Sequence, residues 1–444
     1  MRRSTRMTLL PLALSLCSGY GHAETLDEAW AAALAASPAL AAQTQQVAAA
    51  QARQEAAQAL NWPTLSLSAA AVHLSQPPTT SIDLSPLGTA LAPVLGSAAS
   101  LLPSSLSMPL TDSNVSLGQL ALTYPLYTGG RITSTQHAAE ANLKSNQAQT
   151  DKTRQDLKLN VAEAYLNVQR ADAAADVARQ YRDSLIAHRD DVKAMERQGL
   201  AAPVERMTAD VAVADADRQL IDARQATELS RAAYNRLLAR PLTQPVQLSP
   251  LADGPAPDLS PEAADKALNQ RPELQALQSG QTALREQARA QRGEDGPQIA
   301  AQAAYLRWNG LPTTDNHTST IGVVLNWNLF DGGLNKGKSD ALAAEAASMA
   351  DKQRDAESMI RLDVLNAQLG NRSAAERLGV ATAAEALAEE SLRLTRLRYQ
   401  NAQAIQTEVL AAETRLADAR RARTNAHFDV QLARLRLLRA MGEL

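Results

Sequence analysis

The sequence contains almost no cysteine and few aromatic side chains. Aromatic residues make up 3% of the 444 residues, only two of them are phenylalanine, and Cys17 is the single cysteine. Large compact cores are usually filled by bulky apolar side chains, so the abundance of alanine instead favours long, closely packed helices. With one cysteine, the chain cannot be stabilised by an intramolecular disulfide.

Long hydrophobic runs are also lacking after the first 23 residues. The nearest approach to one is the uncharged stretch 84–111, which is interrupted by prolines at positions 86, 93, 103 and 109. Proline breaks the interior of a helix, so we predict a loop here and not a membrane-spanning helix.

The N-terminus has the composition of a secretory signal peptide. Three arginines within the first six residues precede the apolar stretch 7–18, and small residues before Glu24 provide a cleavage site. The apolar stretch is too short to span a membrane, so we predict a signal peptide over residues 1–23. Lipidation of Cys17 is the alternative, which the bulky Leu16 before it disfavours.

The charge balance and the motifs argue against nucleic-acid binding and catalysis. Loss of three arginines with the signal peptide leaves 41 basic against 47 acidic residues, a net charge of −6. A nucleic-acid protein would normally present a basic face. The sequence has no GxSxG, CxxC or HExxH motif. We therefore predict no enzyme activity, no cofactor and no nucleic-acid partner.

The histidines of the mature chain suggest no metal site, because they form no visible cluster: His73, His137, His188, His317 and His427. His137 and Glu140 would lie one turn apart on a helix, where they would be placed to share a metal ion. A solvated helix face is the favoured interpretation of this pair.

Two similar seven-residue segments reveal an internal repeat. YPLYTGG (124–130) and WNLFDGG (327–333) share a pattern at an offset of 203 residues, and this register continues without a gap to about residue 238. Upstream, SPALAAQ (37–43) matches RPELQAL (271–277) at an offset of 234. The chain is therefore predicted to contain two copies of one unit. The first copy carries an insertion of about 31 residues, the difference between the two offsets.

The two copies have the same predicted order of elements. The first repeat, 24–240, is followed by a proline-rich linker, 241–259, and the second repeat, 260–444. Each begins with two helices, the first with a capping box at Thr25-Leu-Asp-Glu28. The predicted elements are helices 25–61, a strand pair within 64–127 with a long loop 74–114, and a helical hairpin 132–240; then helices 260–293, a strand pair 298–330 and a hairpin 335–442.

The predicted strands alternate apolar and polar residues. Ile321, Val323 and Leu325 share a face that continues to Trp327 and Leu329, and the first copy has an equivalent face that includes Tyr124 and Leu126. This pattern is typical of a membrane β-barrel wall. A half-buried sheet in a soluble domain would give the same pattern, so the strands alone leave both interpretations open.

The helical runs favour the membrane interpretation. Apolar and small residues recur three and four residues apart, for example at Val409, Ala412, Leu416 and Ala419, which is coiled-coil spacing. A run over 132–198 would be about 100 Å long, which no compact domain requires. Four strands cannot close a barrel, and a dimer of eight strands leaves no lumen, so we predict that three chains supply twelve strands.

These features resemble the TolC-like outer membrane efflux proteins, also called outer membrane factors. The resemblance covers about 24–442 and rests on the Ser-Pro-Ala-Leu and Arg-Pro-Glu-Leu turns, the aromatic-Gly-Gly strand exits and the hairpin tips. It implies a mixed membrane α/β-barrel fold: a homotrimer with a twelve-stranded outer-membrane β-barrel, continued by a periplasmic α-helical coiled-coil barrel. The linker would lie in the equatorial region.

The resemblance also implies partners and sites. A periplasmic adaptor (membrane fusion protein) would dock at the hairpin tips, at Gly199, Leu200 and Ala402, and would link the channel to an inner-membrane pump. Outer-membrane lipid would surround the barrel. Glu408, Glu205 and Tyr399 would form the periplasmic gate. Chain exits from the barrel would lie at Gly129, Gly130, Gly332 and Gly333.

The sequence is also compatible with functions other than a channel. A periplasmic coiled-coil scaffold would form no pore, and a surface receptor or adhesin would use the 74–114 loop. Within the family, drug efflux and type I protein secretion are both open, because no feature of the sequence identifies the cargo.

Overall fold

A computed structural model describes residues 23–96, 103–251, 260 and 262–444. The predicted signal peptide with Cys17 lies outside the described residues, apart from Ala23, and so do residues 252–259 of the predicted linker. The elements are α1 (Leu26–Ala36), α2 (Pro38–Ala59), β1 (Thr64–His73), β2 (Thr79–Asp83), α3 (Ser85–Leu95), β3 (Ser105–Pro109), β4 (Asn114–Tyr127), α4 (Arg131–Arg197), α5 (Pro203–Leu237), α6 (Ala263–Gln270), α7 (Pro272–Gly293), β5 (Gln298–Asn309), β6 (His317–Asn326), α8 (Leu334–Gln400) and α9 (Gln406–Met441).

Contacts divide the chain into two units. Of the described residues, one unit comprises 23–45, 148–251, 260, 262–274 and 354–444, and the other comprises 46–96, 103–147 and 275–353. None of the described helices is both long enough and apolar enough to cross a membrane.

The core of the first unit is built around α1. The predicted capping box is confirmed: the Glu28 N–H donates to Thr25 Oγ1 and the Thr25 N–H donates to Glu28 Oε2, so α1 starts at a fixed point. Its buried side chains pack against Tyr165 and Tyr234, whose rings meet edge to face at 6.1 Å. The Tyr165 hydroxyl donates to the Ser249 carbonyl at 2.6 Å, which attaches the segment after α5 to α4.

The long helices pack through small residues. Val213, Ala216 and Leu220 on α5 are buried, and so are Val409, Ala412 and Leu416 on α9. These are the positions where the coiled-coil spacing places the contact face, so that spacing is confirmed for the return helices. The predicted hairpin limits change slightly at one place, because α5 ends at Leu237 and Ala239 takes a φ of +53°.

The second unit contains a four-stranded antiparallel sheet in the order β1-β4-β5-β6. The register aligns Leu65 with Leu122, Leu122 with Ala303, and Ala303 with Ile321. Strands β1 and β6 each have a partner on one side only within this sheet. The sheet therefore ends in two edges with unpaired backbone groups.

The predicted strand pair 298–330 extends too far at its C-terminal end. Strand β6 ends at Asn326, which pairs with Gln298 at the start of β5. Pro297 precedes Gln298 and has no N–H group with which to extend the pairing.

Two residues predicted for the barrel wall therefore lie outside a strand. Trp327 and Leu329 belong to the connection between β6 and α8, whereas Tyr124 and Leu126 lie within β4. The Trp327 indole N–H donates to the Asp295 carbonyl, in the turn before β5, at 3.0 Å.

The predicted loop 74–114 is also partly wrong, because it contains regular structure. Strands β2 and β3 form a two-stranded ribbon, and α3 connects them. Pro86 lies in the first turn of α3, where a missing N–H costs nothing, and Pro93 lies close to its end.

The four glycines predicted at the strand exits all adopt positive φ angles, between +60° and +87°: Gly129, Gly130, Gly332 and Gly333. A Cβ atom on Gly129 would lie 2.6 Å from the Gly293 carbonyl oxygen, so this position also needs glycine for space. Asp331 accepts from the N–H groups of Gly333 and Asn335, and these bonds lower its pKa. The chain is thereby turned from strand into helix.

Candidate functional site: the helical hairpin tips

The first hairpin tip joins α4 to α5. Gly199 has a φ of +75°, and the Leu200 N–H donates to the Met195 carbonyl at 2.9 Å, which closes the end of α4. Pro203 then starts α5. The Leu200 side chain is 71% exposed, so the tip presents an apolar group to its surroundings.

The second tip has the same shape but a different residue. Ala402 stands 203 residues after Gly199 and adopts a φ of +58°. The Gln403 N–H donates to the Arg398 carbonyl at 2.7 Å, which closes the end of α8. An L-residue in this left-handed conformation is strained by about 1 kcal/mol.

Ala402→Gly is therefore expected to stabilise the second tip by about 1 kcal/mol, because glycine adopts a positive φ without steric cost. Resistance of the tip to limited proteolysis would measure this change, together with the thermal midpoint. Gly199→Ala is the matched reverse substitution and should destabilise the first tip. An unchanged or lower stability of Ala402→Gly would contradict the strain.

Two of the three predicted gate residues are in contact. The Tyr399 hydroxyl on α8 donates to Glu205 Oε2 on α5 at 3.0 Å, and the Gln406 side chain donates to the Glu205 carbonyl at 2.8 Å. Burial, reinforced by the hydrogen bond to Glu205 and its negative charge, raises the pKa of Tyr399 to about 12. The phenol is therefore protonated at neutral pH and ties one hairpin to the other.

The third predicted gate residue, Glu408, has other partners. Its carboxylate accepts from the Ile405 N–H at 3.5 Å and lies 3.6 Å from Arg398. Glu408 thus occupies the first turn of α9, where a negative charge is favoured by the exposed N–H groups of the helix.

A buried polar cluster beneath the tips was not predicted from the sequence. Glu413 on α9 is 2% exposed and pairs with Arg396 on α8, which also donates to Ser184 on α4 at 2.6 Å. The coiled-coil spacing could have predicted the burial of Glu413, because this residue lies beside Ala412 and near Leu416 on the contact face of α9. The sequence alone does not show that Arg396, seventeen residues away, reaches it.

His188 belongs to the same region. It is almost fully buried, and its ring meets the Tyr399 ring at 5.6 Å. Burial lowers the pKa of His188, so it is neutral at pH 7. The contacts between the two hairpins therefore extend from the tips into the packed part of the helices.

The possible metal pair on α4 is occupied by other contacts. Glu140 forms an ion pair with Lys144 at 2.7 Å, which lowers the pKa of its carboxyl, and His137 lies 4.0 Å from Glu286. Among the described residues no group of three or more His, Cys, Asp or Glu is placed to hold a metal ion. These contacts favour the interpretation of His137 and Glu140 as parts of a solvated helix face.

A family model described as "Outer membrane efflux protein" matches residues 30–240 and 263–443, which is most of the chain. The chain belongs to the outer membrane efflux protein family. This identification confirms the resemblance found in the sequence. No curated protein sequence gives a significant match.

Several solved structures share the fold. The outer membrane protein VceC from Vibrio cholerae is 18% identical, with a TM-score of 0.76, and the match covers 94% of this chain and 96% of that chain. The MtrE outer membrane channel of Neisseria gonorrhoeae, in its open state, is 18% identical with a TM-score of 0.74, covering 94% and 88%. The CmeC outer membrane channel of Campylobacter jejuni is 14% identical with a TM-score of 0.75, covering 94% and 85%.

Proposed function

We propose that the protein is the protomer of a trimeric outer-membrane channel. The channel is the exit duct of a tripartite efflux or type I secretion system. It conducts cargo passively from an inner-membrane pump, through a periplasmic adaptor, to the outside. Membership of the outer membrane efflux protein family supports the efflux role.

The observation that carries this proposal is the division of the sheet into two unlike faces. On one face, side chains that are aligned across the strands are apolar and exposed: Leu65, Leu67, Leu120, Leu122, Tyr124, Ile321, Val323 and Leu325. The opposite face carries most of the polar residues of the sheet, interspersed with small and a few larger apolar ones; the polar residues include Thr64, Ser66, Ser68, Gln119, Thr123, Gln302, Thr318 and Thr320. A wall with lipid on one side and water on the other needs this division.

Exposed aromatic side chains lie at the end of the sheet where the helices begin. Trp62 follows α2, Tyr127 ends β4, and Trp327 and Phe330 follow β6. Rings at this level are typical of the interface between lipid and water in a membrane barrel. We therefore assign Trp327 to the periplasmic boundary of the membrane.

The two unpaired edges of the sheet require partners. An open edge in lipid would leave N–H and C=O groups without hydrogen bonds, each at a cost of several kcal/mol. Four strands cannot close on themselves, and eight leave no passage. Three chains with twelve strands close the barrel around a lumen.

The native mass of the protein, extracted with detergent from an outer-membrane fraction, tests this proposal. A trimer that forms conducting channels in planar bilayers is the expected result. A soluble monomer or dimer in the periplasmic fraction would overturn it and would favour a periplasmic coiled-coil scaffold.

Tyr399→Phe is expected to raise the conductance of the resting channel. It removes the hydrogen bond to the Glu205 carboxylate that ties the hairpins, worth about 1.5–3 kcal/mol in each protomer because the acceptor is charged. Single-channel recording would measure the change. Tyr181→Phe is a suitable control, because its hydroxyl also links the hairpins, to Thr414 Oγ1 at 3.2 Å, but with a neutral partner. Equal conductance of wild type and Tyr399→Phe would contradict the role of this bond in the gate.

Glu408→Ala is expected to weaken cation selectivity. In the proposed trimer, three Glu408 carboxylates lie near the axis and attract cations, so their removal should lower the cation-to-anion permeability ratio by about twofold or more. Reversal potentials in a salt gradient would measure the ratio, and Glu390→Ala on the exposed surface of α8 would serve as control. If the ratio does not change, Glu408 acts only as a helix-capping residue.

A further inference from the structure

The insertion in the first repeat is mainly apolar, with Asp83 as its one charged residue, and most of its described residues are exposed. It comprises β2, α3 and β3, residues 79–109, and the sequence 84–111 contains no charged residue. Six large apolar side chains in and beside it are about half exposed or more: Ile82, Leu87, Val94, Leu106, Met108 and Leu110. Such a cluster of exposed apolar residues usually marks an interaction surface.

The exposed apolar residues of α3 follow a helix-packing pattern. Leu87, Leu91 and Val94 are spaced by four and three residues and therefore lie on one side of the helix. Leu91 is partly buried, whereas Val94 is 81% exposed. This stripe is suited to packing against other helices, because the same spacing forms the contact face of helical bundles.

The insertion lies at the end of the sheet away from the long helices. It connects the end of β1 to the start of β4, where His73 and Asn114 are joined by a 2.8 Å hydrogen bond. Beside it, the Asp112 N–H donates to the Gly310 carbonyl at 2.7 Å, in the turn between β5 and β6. In the proposed channel this is the extracellular end, and each protomer contributes one insertion.

We propose that the insertions of the three protomers pack against one another through α3 and narrow the extracellular mouth of the channel. This inference rests on the trimeric channel proposed above. The partner of each apolar stripe is then the same segment of a second copy of this chain. α3 has no charged residue, so three copies of this helix can meet near the axis without electrostatic repulsion.

The charge distribution favours this partner over the membrane surface. The sequence contains no Lys or Arg between positions 54 and 130. A segment that binds anionic lipid headgroups normally does so through clustered basic residues. Eleven residues of α3 would also be too short to enter the lipid as a spanning helix.

Disulfide trapping tests the contact. The mature chain has no cysteine after residue 17, so Val94→Cys introduces a single thiol into each protomer of the predicted mature protein. A mild oxidant should join two of the three thiols of a trimer, and no more than about two thirds of the chains can then run as a covalent dimer. Thr314→Cys, in the exposed turn of the second repeat, should give little dimer.

The trimer must first be verified by native mass, which separates the two proposals. Intact trimers of Val94→Cys that form no disulfide-linked dimers would overturn the mouth contact alone. The same conclusion would follow if a probe attached to Cys at position 94 reported a lipid environment. Absence of trimers would overturn both proposals.

Deletion of the insertion gives a second measurement. The Leu110 N–H donates to the Pro78 carbonyl at 2.8 Å, so residues 79–109 can be replaced by two glycines between neighbouring ends. With Tyr399→Phe present to open the periplasmic tip, the deletion should raise conductance by about twofold or more. Unchanged conductance in that background would show that the insertion does not narrow the mouth.

Discussion

Leu122→Arg is expected to prevent stable insertion of the protein into the outer membrane. Leu122 lies in the middle of β4, between Leu65 on β1 and Ala303 on β5, on the apolar face of the sheet. An arginine on the lipid side of a barrel near the membrane centre costs about 2–4 kcal/mol per chain. Because the trimer contains three copies of the substitution, the total destabilisation is three times as large, and no other substitution is expected to have a larger effect.

The next residue along the strand provides the control. Thr123 pairs with Thr64 and Gln302 on the polar face, so an arginine there points to the lumen and stays hydrated. The amount of trimer in outer-membrane fractions, and its resistance to urea in detergent or vesicles, should fall sharply for Leu122→Arg and remain near wild type for Thr123→Arg. Equal losses in both variants would mean that the sheet is not a membrane wall.

Arg439→Met is expected to lower the free energy of unfolding by about 3–5 kcal/mol, because breaking a buried ion pair leaves charges uncompensated. The Arg439 guanidinium is 9% exposed and binds Asp156 on α4 at 2.6 Å and Glu273 on α7 at 2.7 Å. One side chain of α9 therefore connects three helices. Methionine keeps the length of the side chain but removes the charge and the hydrogen bonds.

A second arginine on the same helix serves as the matched control. Arg436 binds Glu163 at 2.9 Å, but its guanidinium is 56% exposed. Exposed ion pairs contribute about 0–1 kcal/mol, so Arg436→Met should have a small effect. Urea midpoints followed by circular dichroism would compare the two variants, and similar midpoints would contradict a special role of Arg439.

The same ion pairs predict how stability depends on pH. Burial alone would raise the pKa of Asp156 and of Glu273, but the hydrogen bonds and charges of their basic partners outweigh it, and both pKa values are lowered. A lowered carboxyl pKa contributes stability that is present above the ordinary values of 3.8 and 4.5 and is lost as the pH falls below them. The difference between wild type and Arg439→Met should therefore be large at pH 7 and smaller well below pH 3.8. A constant difference would show that lost packing, not charge, causes the effect.

Local patterns in the sequence predicted the secondary structure well because they depend on nearby residues. The capping box at Thr25 starts α1, coiled-coil spacing marks the buried face of α9, and the Gly-Gly pairs adopt the positive φ angles that turn strands into helices. Each of these rests on backbone geometry or on periodicity within a few residues. The family followed from the same patterns and their constant offsets.

Two local predictions were wrong, and each error has a physical cause. The alternation through Leu329 continues beyond Asn326, but the partner strand begins only after Pro297, so pairing ends there. The prolines of the insertion suggested a loop, yet Pro86 lies in the first turn of α3, where helices tolerate it. Where a strand ends depends on where its partner strand begins, and the effect of a proline depends on its position within a helix.

The sequence by itself determined the helices, the strands and their faces, because periodicity and turn chemistry are local properties of the chain. Only the tertiary structure decided which distant side chains meet: Tyr399 with Glu205, Glu413 with Arg396, and Arg439 with Asp156 and Glu273. These contacts join helices that lie far apart in the sequence. Their charges gain from pairing only once packing removes water around them, and no local pattern records that burial.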